Sequence, residues 1–191
     1  VRLEGSFFYT LLKDAMVRRD FQFGGEDSIP YDGEMSKVQA LVNAGEAYVW
    51  GWNLQFAAQI VKNLLVKSTM TFTQGQDLSE EIPLRHVPPM FGNTTVSYRA
   101  HKIRIDFYVN YNARKDFEDM APSEQSKTHM YAPDGSSPAW YTLNLKGSYQ
   151  INEQLQVNLG FENILDHHYR PYSSGISAPG RNLIIAVRAF I

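Results

Sequence analysis

The sequence predicts an all-β protein, an antiparallel transmembrane β-barrel wall, and three observations carry that expectation. The first is strict alternation. From Tyr141 to Gln150 every odd position is apolar, aromatic or Gly and every even one polar, and Leu155 to Glu162 keeps the same period, broken on its polar face only by Gly160. That period belongs to a strand with one apolar and one polar face. The second is the placement of rings. Tyr141 and Tyr149 bracket Leu143, Leu145 and Gly147 on the apolar face. Eight residues at about 3.3 Å each give roughly 26 Å of strand. Tilted, that is roughly 20 Å of height, close to an outer-membrane barrel's lipid-facing band between its aromatic girdles. The third is that connections alternate long and short along the whole chain, the pattern of barrels with short turns at one rim and long loops at the other.

The elements follow in order. Strand one covers about 1–12, with Val1, Leu3, Gly5, Phe7, Tyr9 and Leu11 outward, and a continuation past Asp14 through Met16 and Val17 is compatible with the pattern. After the Gly24-Gly25-Glu26-Asp27 loop, one long strand is expected from Ser36 to Ile60 with a bulge near Gly45. Its outward set is Tyr48, Trp50, Trp52, Leu54, Phe56, Ala58 and Ile60, and two tryptophans on one face are unfavourable in water. The turn at Lys62-Asn63 returns the chain through 64–73, with Leu64, Val66, Met70 and Phe72 outward and Ser68 interrupting. A polar loop over 74–87 ends at Pro88-Pro89, which cannot donate ladder bonds and so marks a strand's beginning. Strands over 92–100 and 103–112 flank the turn at His101-Lys102. A loop over 114–137, the strand pair 141–150 and 155–162, a second long polar loop, and a last strand from Leu183 to Ile191 complete about eight strands.

Composition bounds function. The 191 residues carry a net charge of −2, with no basic run for nucleic acid or an anionic surface. There is no Cys, hence no disulfide, thiolate metal site or thiol nucleophile. No apolar run reaches the roughly 18 residues of a membrane helix. A mean hydropathy of −0.34 does not argue against a barrel, in which only alternate residues meet lipid. The aromatic content of 13% suits interfacial belts. No G-x-S-x-G elbow, H-E-x-x-H or Walker loop is present, so no catalysis and no cofactor are expected. The strand residues Arg104, Asp106, Asn144, Lys146, Asn158 and Glu162 read as barrel wall facing water.

Gly160-Phe161-Glu162-Asn163-Ile164-Leu165-Asp166, then Tyr169, Gly180-Arg181 and a final strand reaching Phe190, resembles the carboxyl-terminal signature of TonB-dependent outer-membrane receptors. That family usually stops on the aromatic; here Ile191 follows it. Asn43 to Asn53 and Pro83 to Gly92 are similar to two further elements of the family, with Asn53 standing where the family usually has Glu. The resemblance implies that residues 1–191 are about the last eight strands of a larger, about 22-stranded barrel, with plug domain and earlier strands absent. It implies a Gram-negative outer membrane, lipid around the wall, a siderophore, metal chelate, vitamin or similar small-molecule ligand, and the TonB energy-coupling complex as partner. The start at Val1, already alternating and without a leader, fits a piece of a larger protein. The alternative is a self-contained small barrel with a structural or adhesion role. His167, His168 and Arg170 are the candidate ligand contacts, weighed against a plain reading as solvated loop residues. Two adjacent histidines face opposite ways and do not complete a metal site, so no metal is assigned.

Overall fold

The computed structural model describes all residues except Ala15, Ala44, Thr128, His129 and Ile191. Its strands are β1 (Arg2–Lys13), β2 (Met16–Asp20), β3 (Ser28–Tyr31), β4 (Glu34–Lys37), β5 (Gln39–Asn43), β6 (Glu46–Val61), β7 (Leu64–Asp77), β8 (Ile82–Pro83), β9 (Phe91–Ala100), β10 (Ile103–Asn112), β11 (Trp140–Gln150), β12 (Leu155–Glu162) and β13 (Asn182–Ala189). A short α-helix, α1 (Pro122–Gln125), follows a 3-10 turn at Phe117–Asp119 and starts on a proline whose missing N–H costs nothing at a first turn.

Eight long strands form one antiparallel meander in the order β1-β6-β7-β9-β10-β11-β12-β13, with β8 attached to the end of β7. The sheet is open: β1 and β13 are its two edges, and the barrel does not close within this chain. All three short turns lie at one rim. Segments 14–45, 78–90, 113–139 and 163–181 gather at the other.

Register explains the two faces. Directly paired residues point to the same side of an antiparallel sheet. Phe107 pairs Leu145, Leu145 pairs Phe161, and Phe161 pairs Leu183. Phe7 pairs Trp52, which pairs Phe72. One apolar face therefore runs across all eight strands, and none of the described residues covers it: Leu145 is 41% exposed, Leu159 53% and Ile185 65%. Soluble monomers rarely expose apolar patches beyond roughly a few hundred Å². Hydrocarbon is the solvent that suits this face. Trp50 and Trp52 lie within it, tilted and stacked against Phe72 at 5.2 and 5.9 Å between ring centroids, under no second layer.

The apolar face is interrupted where expected, and the interruption is satisfied. Ser68 pairs Thr94, and their hydroxyls share a hydrogen bond of 2.9 Å. Gly92 lies beneath the ring of Tyr111, whose hydroxyl donates to the Thr69 carbonyl at 3.2 Å; a Cβ at Gly92 would sit 2.5 Å from that hydroxyl oxygen.

Several sequence expectations require correction. The strand expected over 36–60 is three strands, β4, β5 and β6. Gly45 ends the run at a φ of 81°, and its carbonyl accepts the Asp14 N–H at 2.6 Å. This break closes the mouth of a hairpin extension rather than making a bulge. In that extension β2 pairs β5 and β3 pairs β4, so the chain past Asp14 is a strand of a separate ribbon. β7 continues to Asp77, four residues into the expected loop, because β6 keeps pairing it up to Ala47. Asn144 is 3% exposed and hydrogen-bonded, not a water-facing wall residue. The last strand ends at Ala189, and the outward placement of Ile191 lies outside the described residues.

Candidate functional site

The loop rim is ordered by a few side chains that bracket backbone. Asn163 follows β12 at a φ of 48°, a left-handed conformation that Asn tolerates better than most residues. Its N–H donates to the Asn144 side-chain oxygen at 2.9 Å. Its amide nitrogen donates to the carbonyls of His167 (2.9 Å) and Pro179 (3.1 Å), and its amide oxygen accepts the His167 N–H at 2.9 Å. One buried side chain thus ties the start of segment 163–181 to its end. Asp166 accepts the Arg181 N–H at 2.7 Å, and the Arg181 guanidinium donates to the Ile164 carbonyl at 3.1 Å. The motif residues Asn163, Asp166 and Arg181 are therefore structural: they close the loop that carries the candidate contacts.

His167, His168 and Arg170 line one cleft of about 280 Å³, together with Met130, Tyr131 and Trp140. Within it the two histidines diverge. His167 belongs to a ladder of rings that crosses the top of β11: Tyr141 to His167 6.2 Å, His167 to Tyr169 6.4 Å, and Tyr169 to Trp140 4.2 Å. The His168 Nε2 lies 3.0 Å from the Ser177 hydroxyl, and Arg170 Nε donates to the same hydroxyl at 3.3 Å. Two lining residues have a buried donor without a hydrogen-bond partner among the described residues, Trp140 Nε1 and Tyr131 Oη. No cluster of three metal-ligating His, Cys, Asp or Glu side chains occurs among the described residues.

Sequence reading missed Trp140 and Tyr169 as lining rings, and Ser177 as the group on which His168 and Arg170 meet. Nothing in a serine-rich loop distinguishes Ser177. Tyr169 stands in the quoted signature, and its aromatic character was the available signal.

The polar face carries its own networks. Tyr108 donates to Glu162 at 2.9 Å, and Lys146 pairs the same carboxylate at 2.8 Å while lying 4.9 Å from the Tyr108 ring centroid. Asp106 holds Arg104 at 2.8 Å and accepts from Ser97 at 2.6 Å. These are matched charges on a wall.

A family model described as "TonB dependent receptor-like, beta-barrel" matches residues 1–164. The chain belongs to the TonB-dependent receptor β-barrel family. Membership implies an outer-membrane β-barrel, and the family comprises receptors and transporters rather than enzymes. Solved structures share the fold. The copper transporter OprC superposes with a TM-score of 0.75 at 15% identity, over 98% of this chain and 29% of that one. The ferric enterobactin receptor PfeA of Pseudomonas aeruginosa gives 0.69 at 14% identity, over 98% and 28%. The FrpB iron transporter of Neisseria meningitidis gives 0.70 at 15% identity, also over 98% and 28%. The chain thus spans under a third of the length of these receptors. No curated protein sequence matches it.

Proposed function

We propose that residues 1–191 form the carboxyl-terminal part of the barrel of a receptor that takes up a siderophore, metal chelate, vitamin or similar ligand under TonB coupling. The plug domain and earlier strands then lie on polypeptide outside this chain. The observation that carries this reading is the open eight-strand wall: one uncovered apolar face, every long loop at one rim, and superposition on under a third of much larger receptors. A self-contained eight-strand barrel would need β1 to pair β13, whereas they are opposite edges of the sheet. The loop rim faces outward from the cell in this reading, lipid surrounds the wall, and the TonB complex acts through the missing region.

His167, His168 and Arg170 are proposed as ligand contacts. The cleft they line offers a cation, two imidazoles and a stack of rings, a combination suited to an anionic, partly aromatic chelate. The test is titration of the whole purified receptor with ferric enterobactin, other ferric chelates and copper ions, followed by Trp fluorescence. Binding of one of them is expected, weakened at least about tenfold in the His167→Ala/His168→Ala/Arg170→Ala variant. Undiminished binding by that variant overturns the contact assignment. Uptake that persists in cells lacking TonB overturns the transport reading.

A further inference from the structure

Glu124 is the most deeply buried charged side chain at the loop rim, at 0% exposure, yet it sits on a helix of four residues inside a loop. Its carboxylate is satisfied from two other loops. The Tyr172 hydroxyl of segment 163–181 donates to Oε2 at 2.5 Å. The His86 N–H of segment 78–90 donates to Oε1 at 3.2 Å. A second residue of the Glu124 loop, Lys115, reaches both neighbours: its Nζ donates to the Val87 carbonyl at 2.5 Å and lies 4.9 Å from the Tyr172 ring centroid. Tyr131 stacks on Tyr172 at 6.3 Å. Burial pushes the Lys115 ammonium down from its ordinary pKa, and the Glu124 and Asp119 carboxylates oppose that shift.

A carboxylate removed from water is strongly destabilising unless hydrogen-bonded and paired. Here the hydrogen-bonding donors come from segments 38 and 48 residues away in the chain. Both hydrogen bonds to the Glu124 carboxylate are therefore made only while segments 78–90 and 163–181 are in place, and Lys115 of its own loop adds a nearby positive charge. Releasing one leaves the charge short of a partner and weakens the hold on the other. Three connections that belong to separate hairpins acquire a shared equilibrium.

We propose that Glu124 is a latch that makes segments 78–90, 113–139 and 163–181 open and close as one body. A displacement of segment 163–181 is then transmitted through Tyr172 and Glu124 to His86 and Val87, more than 70 residues earlier in the chain.

The experiment is amide hydrogen exchange on the whole receptor in detergent, comparing Tyr172→Phe and Glu124→Gln with the parent. Tyr172→Phe keeps both ring contacts and deletes one hydrogen bond to a charged group, a loss that corresponds to about tenfold faster opening. The expected result is faster exchange by about that factor at His86 and Val87 and across 122–127, as well as around Tyr172. Protection in β10 and β11 should not change. Ser177→Ala, in the same loop but off the latch, should act locally. Unchanged exchange at His86 and Val87 in Tyr172→Phe overturns the proposal, whatever happens in 163–181. Should that variant lose β10 and β11 protection, Glu124→Gln, which keeps the side chain's shape but replaces one acceptor oxygen with an NH2 donor and removes the charge, is read by the same criterion.

Discussion

The hydroxyls of Ser68 and Thr94 meet at 2.9 Å on a face that is mostly hydrocarbon and rings. Facing residues of β7 and β9, they satisfy each other where no water is at hand. Truncating one partner leaves the other unpaired, so Thr94→Val alone should lower stability in lipid by about 1 kcal/mol. The double change Ser68→Ala/Thr94→Val should recover most of that loss. A folding double-mutant cycle in lipid vesicles reads the coupling, and additive losses would show that the pair does not act as a unit.

Leu145 and Leu159 sit on the uncovered face, and Asn158 on the opposite one. Arg at either leucine should cost about 2–4 kcal/mol if it lies at mid-membrane depth. Arg at Asn158, half-buried on the polar face, should cost under about 0.5 kcal/mol. Asn144 does not belong with Asn158 as a tolerant site, because it is buried and bonded to Asn163. Equal costs on the two faces, measured by denaturant titration of the whole barrel in lipid, would sink the assignment of faces.

Asn163→Ala should release segment 163–181. It removes the side-chain bonds to His167 and Pro179 and leaves a non-glycine residue at a left-handed φ that Asn tolerates better than Ala. The two effects together are worth about 2 kcal/mol or more. Limited proteolysis at neutral pH should then cut within 163–181 while the barrel strands stay intact, and a cleavage pattern like the parent's would contradict the bracket role.

Acid should act on the turn at 132–137. The Ser136 hydroxyl and N–H, then Arg114, hold the Asp134 carboxyl at about 2, below its ordinary 3.8. A depressed carboxyl contributes stability that is present above the ordinary value and lost as pH falls through the depressed one. Pepsin cleavage within 113–139 should therefore rise as pH drops from about 4 to about 2. In Asp134→Asn that additional rise should be absent. A variant with the parent's pH profile would place the sensitivity elsewhere.

Much of the wall was legible because a strand turns each side chain to the face opposite its neighbour's. Given Tyr141, Leu143 and Leu145 at odd numbers, no other choice of faces keeps the apolar set together, and the register of β10, β11 and β12 follows it. The hairpin extension was less legible. Its strands are four or five residues long and weakly patterned, and the break at Gly45 looks like a bulge until the Asp14 contact is seen. At the rim, the signature around Asn163 pointed to the right segment but not to the reason. Asn163 and Asp166 close a loop, and the candidate contacts His167, His168 and Arg170 are what that loop presents.

By itself the sequence determined which side of each wall strand is apolar, that about eight strands make the wall, and at which rim the long connections gather. Those are consequences of covalent geometry repeated every two residues, and they need no partner distant in the chain. Only the tertiary structure decided that Asn144 is buried, that His167 and His168 part company, and that Glu124 is held by His86 and Tyr172. Each of those depends on groups brought together from separate hairpins, and no local pattern records which of them will meet.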